Sequence, residues 1–270
     1  MTEKICAVDL GMPTLLEAAG AEESAALCAE LGLQFVELNM NLPEYADPAH
    51  MDREKLCALR EKYGVYFTLH LDERLDGCDF NPLVRNAYQE TLRRALELAQ
   101  EAEMPIVNLH LNHGVYFTLP GKKTYLYAER REEYLQHIDE MRRIGEEGAD
   151  ENTALCVENT DGFLAQEKKA LDLLMKSKRW GLTLDVGHMH SAGYVDDDVY
   201  IVHSGKLRHM HLHDALLMQA GQCHLPLGEG NLDWRDSLRT AEKRHCRAVI
   251  EVKTLSALRD SVKTLREAGK

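Results

Sequence analysis

Short apolar or alternating runs recur along the chain, and each is followed by a longer stretch with helical periodicity, the pattern of repeated βα units. Eight runs read as strands: Ile5–Leu10, Phe35–Met40, Val65–His70, Ile106–Leu111, Ala154–Thr160, Trp180–Val186, Leu207–Asp214 and Ala248–Thr254. Between and after them the periodicity predicts helices at Leu15–Leu31, Asp52–Tyr63, Leu83–Ala102, Ala128–Glu147, Ala165–Lys176, Val195–Ser204, Asp233–His245 and Ser256–Ala268, the sixth being the weakest. Eight units in 270 residues, with no linker rich in Pro, Gly or Ser, predict an α/β fold: a single (β/α)8 TIM-barrel domain over residues 1–270. A doubly wound sheet would call for a Gly-rich switch-point loop, and the chain has no GxGxxG.

Successive side chains on a strand point to opposite faces, so each run divides in two. One face is apolar throughout: Val36 and Leu38, Phe67 and Leu69, Val107 and Leu109, Leu155 and Val157, Leu182 and Leu184, Met210 and Leu212, Ile250 and Val252. It belongs against the outer helices. The other face carries Asp9, Glu37 and Asn39, Thr68 and His70, Asn108 and His110, Cys156 and Glu158, Thr183 and Asp185, then His209, His211 and His213, and Glu251 and Lys253. In a barrel this is the interior, and its polar members fall toward the C-terminal strand ends. Barrel interiors are ordinarily filled by branched apolar residues, and an unpaired buried charge costs several kcal/mol. Divalent cations compensate such a cluster directly, because carboxylates and neutral imidazoles are their ligands.

Taken singly, a histidine is more often packed or solvated than a ligand. Taken together, Glu158, Asp185, His211 and Glu251 each end a different strand on one side of the barrel, and that convergence predicts a metal site. His70 and His110 follow as ligands or substrate contacts. So do His188, three residues after Asp185, and His224, in the loop after the seventh strand. His113, His190, His209 and His213 read as supporting or structural groups, and His50, His137, His203 and His245 as solvated. The connection from Asn112 to Tyr127 reads equally as a lid over the site or as a surface loop.

Composition bounds the rest. The chain is 44% hydrophobic with mean hydropathy −0.38, which predicts a globular protein with no membrane partner. Its 32 basic and 45 acidic side chains leave a net charge of −13, so no broad cationic face awaits nucleic acid. Carboxylates gathered on a metal add to this count while presenting a locally positive site. Seven irregularly spaced cysteines without a C-x-x-C pair, and a start MTEKICAVDL without a signal-peptide core, predict reduced thiols and a cytoplasmic location.

Seven motifs in order then carry a resemblance: TLH ending at His70, NLHLNHG from Asn108, VENTDG with Glu158, LDVGHMHSAGY with Asp185 and His188, HMHLHD with His211, HLPLGEGN with His224, and VIEVK with Glu251. From first strand to last, the sequence resembles the xylose isomerase-like TIM barrel superfamily, which includes many sugar isomerases and epimerases and the endonuclease IV type of apurinic/apyrimidinic endonuclease. The resemblance implies that Glu158, Asp185, His211 and Glu251 form the metal quartet that these branches share. It implies that His70 and His110, with Glu158 bridging, match ligands of a further metal in the endonuclease branch, and that His188 and His224 match two ligands of that branch's third metal. Gln222 stands where that branch has an aspartate, and a neutral amide binds zinc poorly. Strand two ends VELNMN, nearer the sugar-enzyme branch, and Glu37 joins His188 and Lys253 as an expected substrate contact.

The expected activity is a divalent-metal-dependent isomerase or epimerase of a sugar, polyol or sugar phosphate, with Glu158 and Glu251 as the acid/base pair. Zinc or manganese is the expected metal, with cobalt and magnesium as alternatives. The partner is then a small carbohydrate, and a homo-oligomer stays open. The alternative activity is a multinuclear zinc phosphodiesterase acting on nucleic acid. A barrel that keeps a metal for structure, or binds a sugar as a sensor, is the third reading.

Overall fold

Parallel neighbours in a sheet need long crossovers, and helices supply them here. The computed structural model describes residues 5–18, 20–219 and 222–268. In chain order the elements are β1 (Leu10–Pro13), α1 (Gly20–Glu30), β2 (Phe35–Asn39), α2 (Arg53–Tyr63), β3 (Tyr66–His70), α3 (Pro82–Glu101), β4 (Ile106–His110), β5 (Tyr116–Leu119), β6 (Lys122–Tyr125), α4 (Leu126–Glu129), α5 (Arg131–Gly148), β7 (Ala154–Glu158), α6 (Ala165–Leu174), β8 (Trp180–Asp185), α7 (Val186–Ser191), α8 (Asp197–Val202), β9 (Leu207–Leu212), α9 (Trp234–Arg244), β10 (Arg247–Ile250) and α10 (Leu255–Ala268). Eight parallel strands close into a barrel in the order β1-β10-β9-β8-β7-β4-β3-β2. The expected (β/α)8 TIM barrel is the fold.

Local chemistry sets several of these boundaries. The Asp52 carboxylate accepts from Lys55 N at 2.9 Å to open α2, and Gly64, at φ 67°, closes it in the left-handed region. Asn81 caps α3 ahead of Pro82, and Asp233 caps α9. The apolar faces of the strands meet the helices as the alternation requires: Val36, Leu38, Phe67, Leu69, Val107, Leu155, Val157, Leu182, Met210 and Ile250 all lie in one buried core with Leu92, Leu96, Ile138, Leu171 and Leu258. No helix of the described residues is long and apolar enough to cross a membrane. Cys28, Cys57, Cys78, Cys156, Cys223 and Cys246 are free thiols.

Three expectations change. The first strand is Leu10–Pro13 rather than Ile5–Leu10. The alternation of ICAVDL suits a strand better than LGMP does, but pairing in the closed barrel overrides it: Gly11 lies opposite Phe35, whose ring comes within 2.4 Å of where a Cβ on residue 11 would sit. Asp9 therefore precedes the barrel and accepts from the Tyr66 hydroxyl at 3.1 Å, at the strands' N-terminal end, away from the predicted site. The sixth connection holds two short helices, α7 and α8, instead of one over Val195–Ser204. The stretch Asn112–Tyr127 contains a hairpin of β5 and β6, with β5 exposed along its whole length.

Candidate metal centre

Four neighbouring strands bring the predicted quartet together. Glu158 ends β7, Asp185 ends β8, His211 lies one residue from the end of β9, and Glu251 follows β10, where its N–H still donates to Leu212 O at 3.0 Å. One ligand atom from each lies within 4.8 Å of the others. His211 Nδ1 is 2.7 Å from Glu251 Oε2, 3.1 Å from Glu158 Oε1 and 3.9 Å from Asp185 Oδ2. Yet His211 Nδ1 and Glu251 Oε2 make no aligned hydrogen bond, so these atoms converge on a common point rather than on one another. Three carboxylates and one imidazole in that arrangement are the donor set of a divalent cation.

The electrostatics agree with that fit. Burial alone would push the three carboxyl groups up. The surrounding histidines, His211 first for Glu158 and Glu251 and His188 first for Asp185, pull all three below the usual carboxylate range instead. Burial likewise opposes charge on His211, but Glu158, Glu251 and Glu37 hold it well above the ordinary imidazole range. Among the described residues, the ion-pair partners of Glu158 and Asp185 are all histidines. Positive charge is what this pocket demands, from protons or from a metal.

A second cluster shares Glu158. His70 Nε2 and His110 Nε2 lie 3.3 and 3.2 Å from Glu158 Oε2, and His110 Nε2 is buried without an aligned partner. Burial opposes charge on His70, but Glu158 outweighs it and lifts the ring to about 9. Asn108 Nδ2 also donates to Glu158 Oε2, and Thr183 Oγ1 donates to Asn108 Oδ1 at 2.6 Å, so the carboxylate is held from below.

His188 and His224 meet above the quartet. The Asp185 carboxylate caps α7 by accepting from His188 N at 2.7 Å, which begins the helix directly at the strand end and turns His188 back over the site. His188 Nδ1 is 3.3 Å from Asp185 Oδ2, and its Nε2 is 3.3 Å from His224 Nε2. His224 Nδ1 donates to the Glu251 carbonyl at 3.0 Å. Lys253 Nζ pairs with Glu251 Oε1 at 3.3 Å while most of its side chain stays exposed. Gln222 lies exposed on the loop before His224.

Glu37 corrects an expectation. It is only 3% exposed, and its oxygens face Thr68 Oγ1 at 3.0 Å, His209 Nε2 at 3.0 Å and His211 Nε2 at 2.9 Å. A substrate at the mouth has no access to it. Glu37 sits behind His211, the placement of a carboxylate that orients a ligating imidazole. His137 is also corrected: it is buried, with Nδ1 donating to Cys78 O at 3.1 Å, not solvated. His190, between Tyr194 and Asn231, and His113, between Glu167 and Asp161, fasten loops. His209 supports Glu37, and His213 lies against Asp185. Residue type alone does not single out Asn159, whose side chain accepts from Asp185 N at 2.9 Å and donates to Asp185 O at 3.0 Å. Its place next to Glu158 in VENTDG was the available signal.

Comparison with known proteins places this geometry. The chain is 26% identical over 217 residues to the uncharacterized protein MJ1311 of Methanocaldococcus jannaschii, covering 77% of this chain and 71% of that one. Its fold is similar to a D-tagatose 3-epimerase-like protein, with a TM-score of 0.74 at 23% identity over 96% of both chains. It is also similar to the IOLI protein with a binding zinc atom, with a TM-score of 0.71 at 14% identity over 97% of this chain and 96% of that one. Residues 25–268 match the family described as xylose isomerase-like TIM barrel. With nearly the whole barrel inside that match, the chain belongs to the xylose isomerase-like TIM barrel family.

Proposed function

We propose that this chain is a divalent-cation-dependent isomerase or epimerase acting on a sugar, polyol or sugar phosphate. The observation that carries the reading is the convergence of Glu158, Asp185, His211 and Glu251, with His211 Nδ1 and Glu251 Oε2 unsatisfied by any aligned hydrogen bond. These four residues would hold the cation; zinc and manganese suit the shell best, with cobalt and magnesium behind them. When bound, such an ion polarises adjacent carbonyl and hydroxyl oxygens and acidifies the C–H bond beside them.

The chain supplies the rest. Glu158 and Glu251 stand at the two ends of the four-strand arc β7, β8, β9 and β10, so they reach a substrate carbon from different sides. One carboxylate removes the proton and the other returns it. His188 holds a substrate oxygen at the opening, and Lys253 swings from Glu251 to meet a hydroxyl or phosphate oxygen. The likeness to an epimerase-like protein and to a zinc-binding one supports this class.

A second reading has its own observation. His70, His110 and Glu158 are grouped closely enough to hold another ion, as a multinuclear phosphodiesterase would require. Gln222 and the absence of a basic track in the sequence weigh against it. The test is to load the protein with manganese or zinc, count ions per chain, and assay free ketoses, sugar phosphates and abasic duplex DNA in deuterated water. Deuterium entering the substrate at carbon supports the isomerase reading. Cleavage of the abasic duplex with two or more ions per chain replaces it with the second.

A further inference from the structure

His213 is fully buried, and both of its ring nitrogens are engaged. Nε2 lies between the two Asp185 oxygens, 3.0 Å from Oδ1 and 3.1 Å from Oδ2. Nδ1 accepts from the His224 backbone N–H at 2.8 Å. The ring stacks on the His224 ring with centroids 4.2 Å apart. Space for it is provided by Gly187 in α7, where a Cβ would lie 1.9 Å from the His213 Cε1 atom.

These contacts fix the tautomer. A backbone N–H can only donate, so the His224 N–H requires a lone pair on His213 Nδ1. The Asp214 carbonyl lies 3.3 Å from the same nitrogen, but a proton placed there to serve it would meet the His224 N–H head on. The proton therefore belongs to Nε2, from which it donates to Asp185. The reverse tautomer would turn a lone pair toward the carboxylate and break both contacts.

We propose that His213 is a positioning residue for cation binding, acting through Asp185. Its Nε2–H holds the Asp185 carboxylate in place for the ion, and its Nδ1 fastens the chain at His224 across the same opening. One imidazole thus couples the end of β8 to the loop that follows β9. Asp214 anchors the rest of that loop: its Oδ1 accepts from Ala215 N and Leu232 N, and its Oδ2 from Gly228 N. The proposal rests on the cation-dependent reading above and assigns His213 no contact with substrate.

The test uses the full chain, manganese or zinc ions, and three variants. Asparagine replaces only the Nδ1 acceptor, glutamine carries an amide N–H toward the former Nε2, and alanine removes both. Competition against a chelator is expected to show His213→Ala weakening cation affinity by about 10–100-fold, the range for outer-shell partners of a metal ligand. His213→Gln is expected to recover most of that loss, and His213→Asn little of it. Long-range proton–nitrogen NMR on the metal-free wild type is expected to show Nε2 protonated and Nδ1 bare at this residue. An Nδ1–H tautomer, an alanine variant that binds as the wild type does, or rescue by asparagine rather than glutamine overturns the proposal. Wild-type protein that binds neither ion defeats the cation-dependent reading instead, and the NMR result still decides the tautomer.

Discussion

Two layers of polar side chains fill the barrel, one below His211 and one above it, and their hydrogen bonding differs. In the lower layer Thr68 donates to Glu37, His209 meets Glu37 at 3.0 Å, and Thr183, Asn108 and Glu158 form a chain; His209 Nδ1, and His211 Nε2 facing Glu37 Oε1 at 2.9 Å, are the exceptions without an aligned partner. In the upper layer His110 Nε2, His211 Nδ1 and Glu251 Oε2 are buried, close to opposite charges and unaligned with any of them. A closed network of polar groups rigidifies a core. Converging atoms without partners describe a binding site. The two layers use the same residue types, so polarity inside a barrel does not by itself mark a site; what distinguishes the upper layer is that its unsatisfied atoms come from the ends of several strands.

The largest expected effects break that comparison at the upper layer. Glu251→Gln should lower turnover by about 10²–10⁴-fold, the range for loss of a positioned acid or base. Metal-free stability should fall as well, because His211 holds the Glu251 carboxyl below the usual carboxylate range and its charge therefore contributes to folding at neutral pH. A steady-state assay beside a denaturant titration checks both. Unchanged turnover and metal content would remove Glu251 from the site.

At the lower layer the effect should fall on stability and cation affinity. Glu37→Ala leaves His209 and His211 without their shared carboxylate, and loss of one partner from a buried charged pair costs about 3–5 kcal/mol. Cation affinity should also fall by about 10–100-fold although Glu37 is not among the quartet. Denaturant unfolding of the metal-free protein and a chelator competition measure the two separately. A variant as stable as the wild type would show that the lower layer is not structural.

How much of this was legible in the sequence depended on which coordinate the sequence encodes. Alternation places Glu158, Asp185, His211 and Glu251 on one face, and strand ends follow from where apolar runs stop, so the quartet and the barrel were readable. Depth along the barrel axis was not. Glu37 pairs in register with Thr68, two residues below His70, and that offset exists only once parallel strands are aligned. The position of β1 is hidden in the sequence for a related reason: Gly11 is poor strand material in isolation and becomes necessary only beneath the Phe35 ring. α7 is not legible in the sequence because its first turn depends on Asp185 serving as both strand end and helix cap. The tautomer of His213 needed the position of the His224 N–H, a contact between residues 11 apart that no periodicity predicts.

Proton release gives a smaller test of the upper layer. Burial opposes charge on His188, but Asp185 and Glu158 outweigh it and lift the ring to about 10, and His211 is held high in the same way. Near neutral pH the metal-free site therefore carries protons that a cation must displace. Because these pKa values are raised, apparent cation affinity should climb as pH rises toward about 10, by up to about tenfold per pH unit for each proton lost, and fall as acid refills the site. Calorimetry in buffers of different protonation enthalpy counts the released protons. A pH-independent affinity would mean that the histidines do not stand in for the ion.

Lys253 should give the smallest effect, and it sharpens where the site ends. Its Nζ is 3.3 Å from Glu251 Oε1, but 62% of its side chain is exposed, so the pair is worth at most about 1 kcal/mol. If Lys253 only screens Glu251, Lys253→Ala should shift KM and kcat for every substrate by less than about fivefold and leave stability unchanged. If it instead reaches a phosphate oxygen, the loss should fall on sugar phosphates and spare free sugars, because a charged contact to the substrate is then removed. Parallel kinetics with a free ketose and its phosphate ester separate the two, and a uniform small change would confine the substrate to the space over Glu158, His188 and Glu251.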